Sequence, residues 1–347
     1  MSFSNSLIQW YLQNKRNLPW RNTNDSYIIW LSEIILQQTR VAQGLPYFEA
    51  FTKEFPTVFD LADANEEQVL KLWQGLGYYS RARNLHATAK YVVNHLKGVF
   101  PTSYNDLIQL KGIGEYTAAA ISSFSVDEKV AVLDGNVYRV LARYFNVDND
   151  ISVASTKKVF QTLANEVLPL NNTPIYNQAI MEFGALQCVP KNPDCLACIL
   201  NSSCAAFQYK KVADLPVKSK KTKVTNKFLN YIVFEDIEGN TLIKQRTGKG
   251  IWQNLYEFPL LESERILNKN EISELVKQNF SLIYSIKEIV LLPSEDVIHK
   301  LSHQTLHIQF IKIVVSEVLL NGISIIELKK LPFPIVIHNF IERFLTN

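Results

Sequence analysis

The 347-residue chain carries 36 Lys and Arg against 33 Asp and Glu, with 47% hydrophobic and 20% charged residues. Such a length exceeds one ordinary core and sets two domains as the expectation, and the composition excludes a disordered chain. A net charge of +3 excludes a uniformly basic nucleic-acid coat, so any DNA-facing surface must be local. The N-terminal stretch MSFSNSLIQWYLQN lacks the basic and apolar parts of a signal peptide, and no apolar run is long enough to span a bilayer. These features predict an intracellular protein of a reducing compartment.

Up to about Phe207 the apolar residues recur mostly with helical period, predicting helices over 26–43, 65–72, 81–96 and 116–124. Glu33 stands in the otherwise apolar run 28–36. Its neighbours one turn away are Ile29, Trp30, Leu36 and Gln37, so its own face is largely nonpolar. Desolvation favours the neutral acid and should raise its pKa, as a general acid requires. A glutamate facing solvent at the helix edge is the plainer alternative. Further on, Lys111-Gly112-Ile113-Gly114-Glu115-Tyr116 lies between a short helical stretch, 104–110, and a helix rich in small residues. Two glycines so spaced allow positive φ and a close approach of backbone N–H groups to a phosphate oxygen. A tight helix–helix turn needs glycine as well. Asp134 closes the strand-like run 130–133 and precedes a predicted helix over 137–144, where it is suited to cap the first turn and remain ionised.

All four cysteines, Cys188, Cys195, Cys198 and Cys204, fall within seventeen positions as C-x6-C-x2-C-x5-C. Four thiolates at loop-sized spacings can enclose one tetrahedral zinc or one cubane iron–sulfur cluster; buried structural thiols or two disulfides are the alternative. Residues 210–227 are rich in lysine and poor in large apolar residues, and read as a solvated linker whose lysines could also graze phosphates. Beyond them the period changes to two. Runs 228–234 and 241–245 flank Glu238-Gly239-Asn240, predicting a hairpin. A further alternating run, 306–315, and helical stretches at 271–280 and 336–345 complete a small α+β domain.

Pro19-Trp20-Arg21, Trp30-Leu31-Ser32-Glu33, Leu36-Gln37-Gln38-Thr39, the run from Gly75 to Asn84, the two-glycine hairpin, Leu133-Asp134-Gly135-Asn136-Val137 and the cysteine loop occur in one order. In this the chain resembles the helix–hairpin–helix DNA glycosylases that carry an iron–sulfur cluster, which include endonuclease III. Within them it is most similar to the MutY-type adenine DNA glycosylases. The resemblance covers most of residues 7–207. It implies a mostly α helix–hairpin–helix glycosylase region (1–207) with a 4Fe-4S loop (188–204), a Lys-rich linker (208–227) and a Nudix-like α+β domain (228–347).

The resemblance implies a monofunctional enzyme of base excision repair, cytoplasmic, nucleoid-associated and monomeric. It would hydrolyse the N-glycosidic bond of adenine opposite 8-oxoguanine or guanine in double-stranded DNA. Glu33 would protonate the departing adenine, and Asp134 would stabilise or briefly bond the sugar cation, supported by Tyr116 and Asn136. Tyr116 stands where lyase relatives place a Schiff-base lysine, and tyrosine cannot form an imine. Gln37, Gln38 and Tyr78 resemble wedge residues that fill the gap left by an extruded base, beside Thr39. Arg81 and Arg83 would meet phosphates, as would Lys111, Gly112 and Gly114, and Arg21 would line the adenine pocket. Cys188, Cys195, Cys198 and Cys204 would hold one 4Fe-4S cluster.

Gly250-Ile251-Trp252 and the run from Leu255 to Pro259 are similar to the Nudix-like domain of these enzymes, but the acidic helix that holds magnesium in Nudix hydrolases is missing between Phe258 and Phe280. Lesion recognition through Ser302 and His303, with Leu301 where the family often has an aromatic residue, is the implied use. A bifunctional pyrimidine-lesion glycosylase–lyase would need a hairpin lysine. A redox DNA-binding module would leave Glu33, Asp134 and the second domain without purpose.

Overall fold

The computed structural model describes residues 2–219, 223–292 and 297–345. It divides into two compact units: residues 1–63 with 84–220, and residues 64–83 with 221–347. None of the described helices is long and apolar enough to cross a membrane.

The first unit is helical, and its centre is the helix Ser26–Leu36. Asp25 caps this helix by accepting from the Tyr27 N–H at 2.8 Å, and Tyr27, Ile29 to Ile35 are all buried. The expected helix over 26–43 is in fact two. The apolar run ends at Leu36, the polar residues 37–40 break the ladder with Gln38 at φ 55°, and a second helix, Val41–Glu54, begins. Against the central helix lies Glu115–Val126, whose buried Ala118, Ala119, Ala120, Ser122 and Ser123 let two helix backbones come close. Gly135–Tyr144, capped by Asp134 as expected, crosses Thr173–Leu186 tightly at Gly184. A Cβ at Gly184 would stand 2.7 Å from the Asn136 Cβ. The run 130–133 forms no strand.

The second unit is a sheet covered by helices. β1 (Thr225–Glu235) pairs in parallel with β7 (Gln304–Val315) and antiparallel with β4 (Leu260–Ser263), while β5 (Ile286–Leu291) and β6 (Val297–Lys300) also pair with β7. Ile232, Phe234, Ile311 and Ile313 pack with Ile272 and Val276 of the helix Lys269–Phe280. Phe310, in register with Tyr231, stacks on Phe340 of the helix Ile335–Phe344 at 3.8 Å. The expected hairpin is corrected here. Residues 236–240 do form a turn around the Asp236 carboxylate, which accepts from the N–H groups of Glu238 and Asn240. The chain does not return along β1, which pairs with β7 along its whole length and with β4 at Phe228–Tyr231; β2 (Lys244–Gln245) pairs instead with β3 (Tyr256–Glu257).

By their contacts, residues 64–83 cluster with this second unit. The helix Glu66–Leu72 starts with an Asn65–Gln68 capping box. Its Lys71 Nζ donates to the Leu331 carbonyl at 3.1 Å, and the Phe333 N–H donates to Gln74 at 3.0 Å.

The solvated linker is also corrected in part. Leu215 is 3% exposed within the helical core, the Arg143 Nε donates to its carbonyl at 3.0 Å, and the Ile151 N–H donates to the Val217 carbonyl at 2.9 Å. Residues 211–219 are therefore docked on the first unit, and 220–222 lie outside the described residues. The lysines concealed one well-spaced apolar side chain. Leu215→Ala should lower the stability of the full chain by about 3 kcal/mol in urea or thermal unfolding, where a free tether would show no change.

Candidate active site

Glu33 is 7% exposed in the middle of its helix, and its Oε2 accepts from the Tyr116 hydroxyl at 2.7 Å. Burial raises its pKa from an ordinary 4.5 to about 7; the Tyr116 bond and Arg21 oppose this, and the nearby charge of Asp134 adds to it. Burial and the Glu33 and Asp134 charges hold the Tyr116 phenol well above its ordinary value, so it remains a donor. The expected support of Asp134 by Tyr116 is thus redirected: the hydroxyl bonds Glu33.

Asp134 accepts from the N–H groups of Asn136 (2.8 Å) and Val137 (2.7 Å) and from the Asn136 side-chain amide (2.8 Å). Burial raises this carboxyl too, opposed by those three bonds and by Arg139. Asp134 accepts three hydrogen bonds and Glu33 one, so hydrogen bonding favours the charged form more at Asp134 than at Glu33.

Glu33, Leu36, Tyr116 and Asp134 form the wall shared by two cavities. The larger, about 1130 Å³, is lined also by Gln37, Gln38, Gly114 and Lys129. The smaller, about 540 Å³, includes Trp20, Arg21, Thr39, Asn136 and Met181. Arg21 is locked there, with Nη2 on Glu182 at 2.8 Å and Nε on Gln178 at 3.1 Å. Burial alone would raise Glu182, yet the bonds from Arg16 and Arg21 bring it down to about 2. Sequence reasoning missed Glu182. Its signal was of the same kind as that of Glu33, a lone acid in the apolar helix Thr173–Leu186.

At the hairpin only Gly112 has positive φ, +81°, where a Cβ would meet Asn84 at 2.8 Å. Gly114 is extended and is the N-cap of Glu115–Val126 without a side-chain cap; a Cβ there would meet nothing within 4 Å. The expectation of positive φ at both glycines therefore holds for one. Lys111 is exposed, and its carbonyl accepts from the Thr88 hydroxyl at 2.7 Å. The Gln37 amide donates to the Thr117 hydroxyl at 3.2 Å, and Gln38, in the left-handed region, is exposed.

All four cysteines line one small cavity of about 30 Å³, bordered by Phe183, Leu200 and Phe207. The Arg143 guanidinium lies 3.4 Å from the Cys188 Sγ, and the Leu200 N–H is 3.4 Å from the Cys198 Sγ. Among the described residues no group of three or more His, Cys, Asp and Glu side chains is arranged to hold a metal ion. Arg139, also missed from sequence, ties this loop to the acid site: it donates to the carbonyls of Cys188 (2.7 Å) and Gly184 (2.6 Å) and to the Asn136 side chain (2.8 Å).

The second unit brings Tyr78, Arg83, Leu301, Ser302 and His303 to one cavity of about 470 Å³, with Trp252 in its wall. Tyr78, 48% exposed, shares the left-handed backbone of Gln38 (φ 47°). Arg83 gives its Nη1 to the Gln253 carbonyl at 2.9 Å. Ser302 and His303 are exposed, 3.2 Å apart through Oγ and Nδ1. Arg81 departs from expectation: its side chain is buried, with the guanidinium 5.0 Å from the Trp73 ring and Nη2 on the Gly77 carbonyl at 3.2 Å. A phosphate-facing arginine would point outward; this one closes the turn from inside.

Residues 31–169 match the HhH-GPD superfamily of base excision DNA repair proteins, and residues 230–343 match the NUDIX domain. A thermostable thymine-DNA glycosylase superposes with a TM-score of 0.56 at 27% identity, over 60% of this chain and 95% of that one. An endonuclease III–DNA complex, at 19% identity and a TM-score of 0.52 over 60% of this chain and 94% of that one, shares the fold. The first unit is thus built as a helix–hairpin–helix base excision glycosylase.

The adenine DNA glycosylase of Buchnera aphidicola subsp. Schizaphis graminum is 37% identical over 307 residues, 88% of this chain and 86% of that protein. That of Arabidopsis thaliana is 33% identical over 346 residues, 87% of this chain and 55% of that protein. The human one is 41% identical over 216 residues, 60% of this chain and 40% of that protein. The chain belongs to the adenine DNA glycosylases.

The raised pKa of Glu33 has a consequence for stability. Below pH 4.5 folded and unfolded states are both protonated there; between 4.5 and about 7 only the folded state keeps the proton, so stability falls as pH rises and levels off above 7. Glu33→Gln keeps an acceptor for Tyr116 but removes this slope. Above pH 7 it should be more stable than wild type by about 3 kcal/mol in chemical unfolding, with no gain near pH 4.

Proposed function

We propose that this enzyme removes adenine from duplex DNA where it faces 8-oxoguanine or guanine, and that it breaks only the N-glycosidic bond. The observation that carries the chemistry is the pair of unlike carboxyls: Glu33, with a pKa of about 7, and Asp134, held by three donors. A neutral Glu33 delivers its proton to a ring nitrogen of adenine and turns a poor leaving group into a good one. The anion of Asp134 then stabilises the sugar cation until water adds. Arg21, held by Glu182 and Gln178, lines the smaller cavity, where it would meet the base.

A lyase step needs an uncharged amine in a desolvated pocket. Tyr116 offers none. The lysines on the larger cavity, Lys129 and Lys157, are exposed, and Lys157 is ion-paired with Glu115. The product is therefore an intact abasic strand.

Reading of the opposite base falls to the second-unit cavity. Ser302 and His303 can hydrogen-bond the added carbonyl and N–H of oxidised guanine, and the exposed ring of Tyr78 can stack on a base. Gln38 and Tyr78 are both exposed and both held at positive φ at a local backbone cost, and as wedges they would enter the gap left by the base. Nudix hydrolysis has no acidic helix to use: Glu271, on the helix after Phe258, caps its own helix and pairs with Arg265.

Cys188, Cys195, Cys198 and Cys204 would hold one 4Fe-4S cluster. Four cysteines lining one cavity supply the thiolate set that a cubane takes, one sulfur at each iron. The cluster would brace the loop, with Arg143 beside Cys188 and Leu200 beside Cys198 supplying donors to sulfur. Anaerobically purified protein should contain about four irons per chain; stoichiometric zinc without iron would overturn the assignment.

Single-turnover assays on duplexes with adenine opposite 8-oxoguanine or guanine test the reading. Wild type should release free adenine and leave a strand that breaks only with alkali, with little borohydride trapping. Glu33→Gln and Asp134→Asn should each lose about 100-fold or more in rate while still binding DNA. The double variant Ser302→Ala, His303→Ala should keep excision opposite guanine but lose part of the preference for 8-oxoguanine. Near-wild-type rates in either carboxyl variant, or an unchanged preference in the double variant, would contradict the corresponding assignment.

A further inference from the structure

The mouth of the larger cavity carries an ion pair that base removal does not use. Glu115, the first residue of the hairpin helix, meets the Lys157 Nζ at 2.7 Å, with each side chain 49% exposed. Both line the cavity that reaches Asp134, together with Gly114 and Lys129. The Glu115 charge is felt across this mouth: after burial, it is the next cause that raises the Tyr104 and Tyr138 phenols.

A free carboxylate is misplaced at this point. The first N–H groups of the helix, beginning at a Gly114 that offers no side-chain cap, form the positive end to which a DNA phosphate would come. An unpaired Glu115 beside them would repel that phosphate.

We propose that Lys157 is a screening residue for DNA, neutralising Glu115 so that a backbone phosphate can approach the hairpin. This rests on the reading of the hairpin as DNA-facing. Lys157 need not touch the phosphate; it acts through Glu115, as a positioning residue. The competing role, a surface pair that supports the helix start, would alter melting temperature and leave DNA affinity alone.

The test is the affinity of the full-length protein for a duplex bearing a non-cleavable adenine analogue, at low and high salt. Lys157→Gln should bind roughly two- to fivefold more weakly at low salt, with the difference shrinking as salt rises. The double variant Glu115→Gln, Lys157→Gln should return to wild-type affinity. Glu115→Gln alone should bind as wild type or more tightly. Equal weakening by Lys157→Gln with and without Glu115 would mean direct phosphate contact and would overturn the screening role, as would no effect of Lys157→Gln at all. Lys111→Gln leaves the pair intact and reports on the hairpin separately. If it weakens binding while Lys157→Gln does not, only the screen fails; if neither matters, the DNA-facing hairpin fails with it. Melting temperatures of all variants establish that each is folded.

Discussion

A carboxyl group buried inside an apolar helix, with its pKa pushed up to about 7, is the constraint on which the first unit depends. Glu33 sits within the buried run from Ile29 to Ile35, so ionising it would leave a charge among isoleucines and a tryptophan. The compensation comes from outside the helix. Tyr116 reaches it from Glu115–Val126, and that contact requires the two backbones to come close, which the alanines and serines of the second helix permit. The hairpin glycines begin the same helix, so the element that would meet DNA is also the one that carries the partner of the acid.

The anion is placed by a different device. Asp134 is a helix cap first, and capping supplies two of the donors that oppose the upward pull of burial on its pKa. The third comes from Asn136, which Arg139 holds while it also grips the carbonyls of Gly184 and Cys188. One arginine thus joins the cysteine loop, the helix crossing at Gly184 and the carboxylate. Disturbance of the loop has a direct hydrogen-bonded route to the site, independent of any chemistry at the sulfurs.

Most of this was legible where chemistry and period coincide. A lone glutamate in an apolar run, an aspartate before a helix, paired glycines and four clustered cysteines each carry a physical signal, and the structure gathers each group in one place. The division of the chain was less legible. Residues 64–83 pack with the second unit through the Lys71–Leu331 and Phe333–Gln74 hydrogen bonds, more than 250 positions apart, and no local pattern announces such a partner. The turn at 236–240 looked like a hairpin because local signals describe the turn and not the edge already taken by β7. Arg81 looked like a surface cation because a sequence does not show that Trp73 lies beneath it.

The protonation state of Glu33 is the central claim, and infrared difference spectroscopy on protein with ¹³C-labelled glutamate measures it most directly. A protonated-carboxyl stretch that persists to about pH 7, vanishes above it and is missing from Glu33→Gln is the predicted result. If no glutamate carboxyl remains protonated above pH 5, Glu33 is an ordinary buried anion and the account of adenine protonation is wrong.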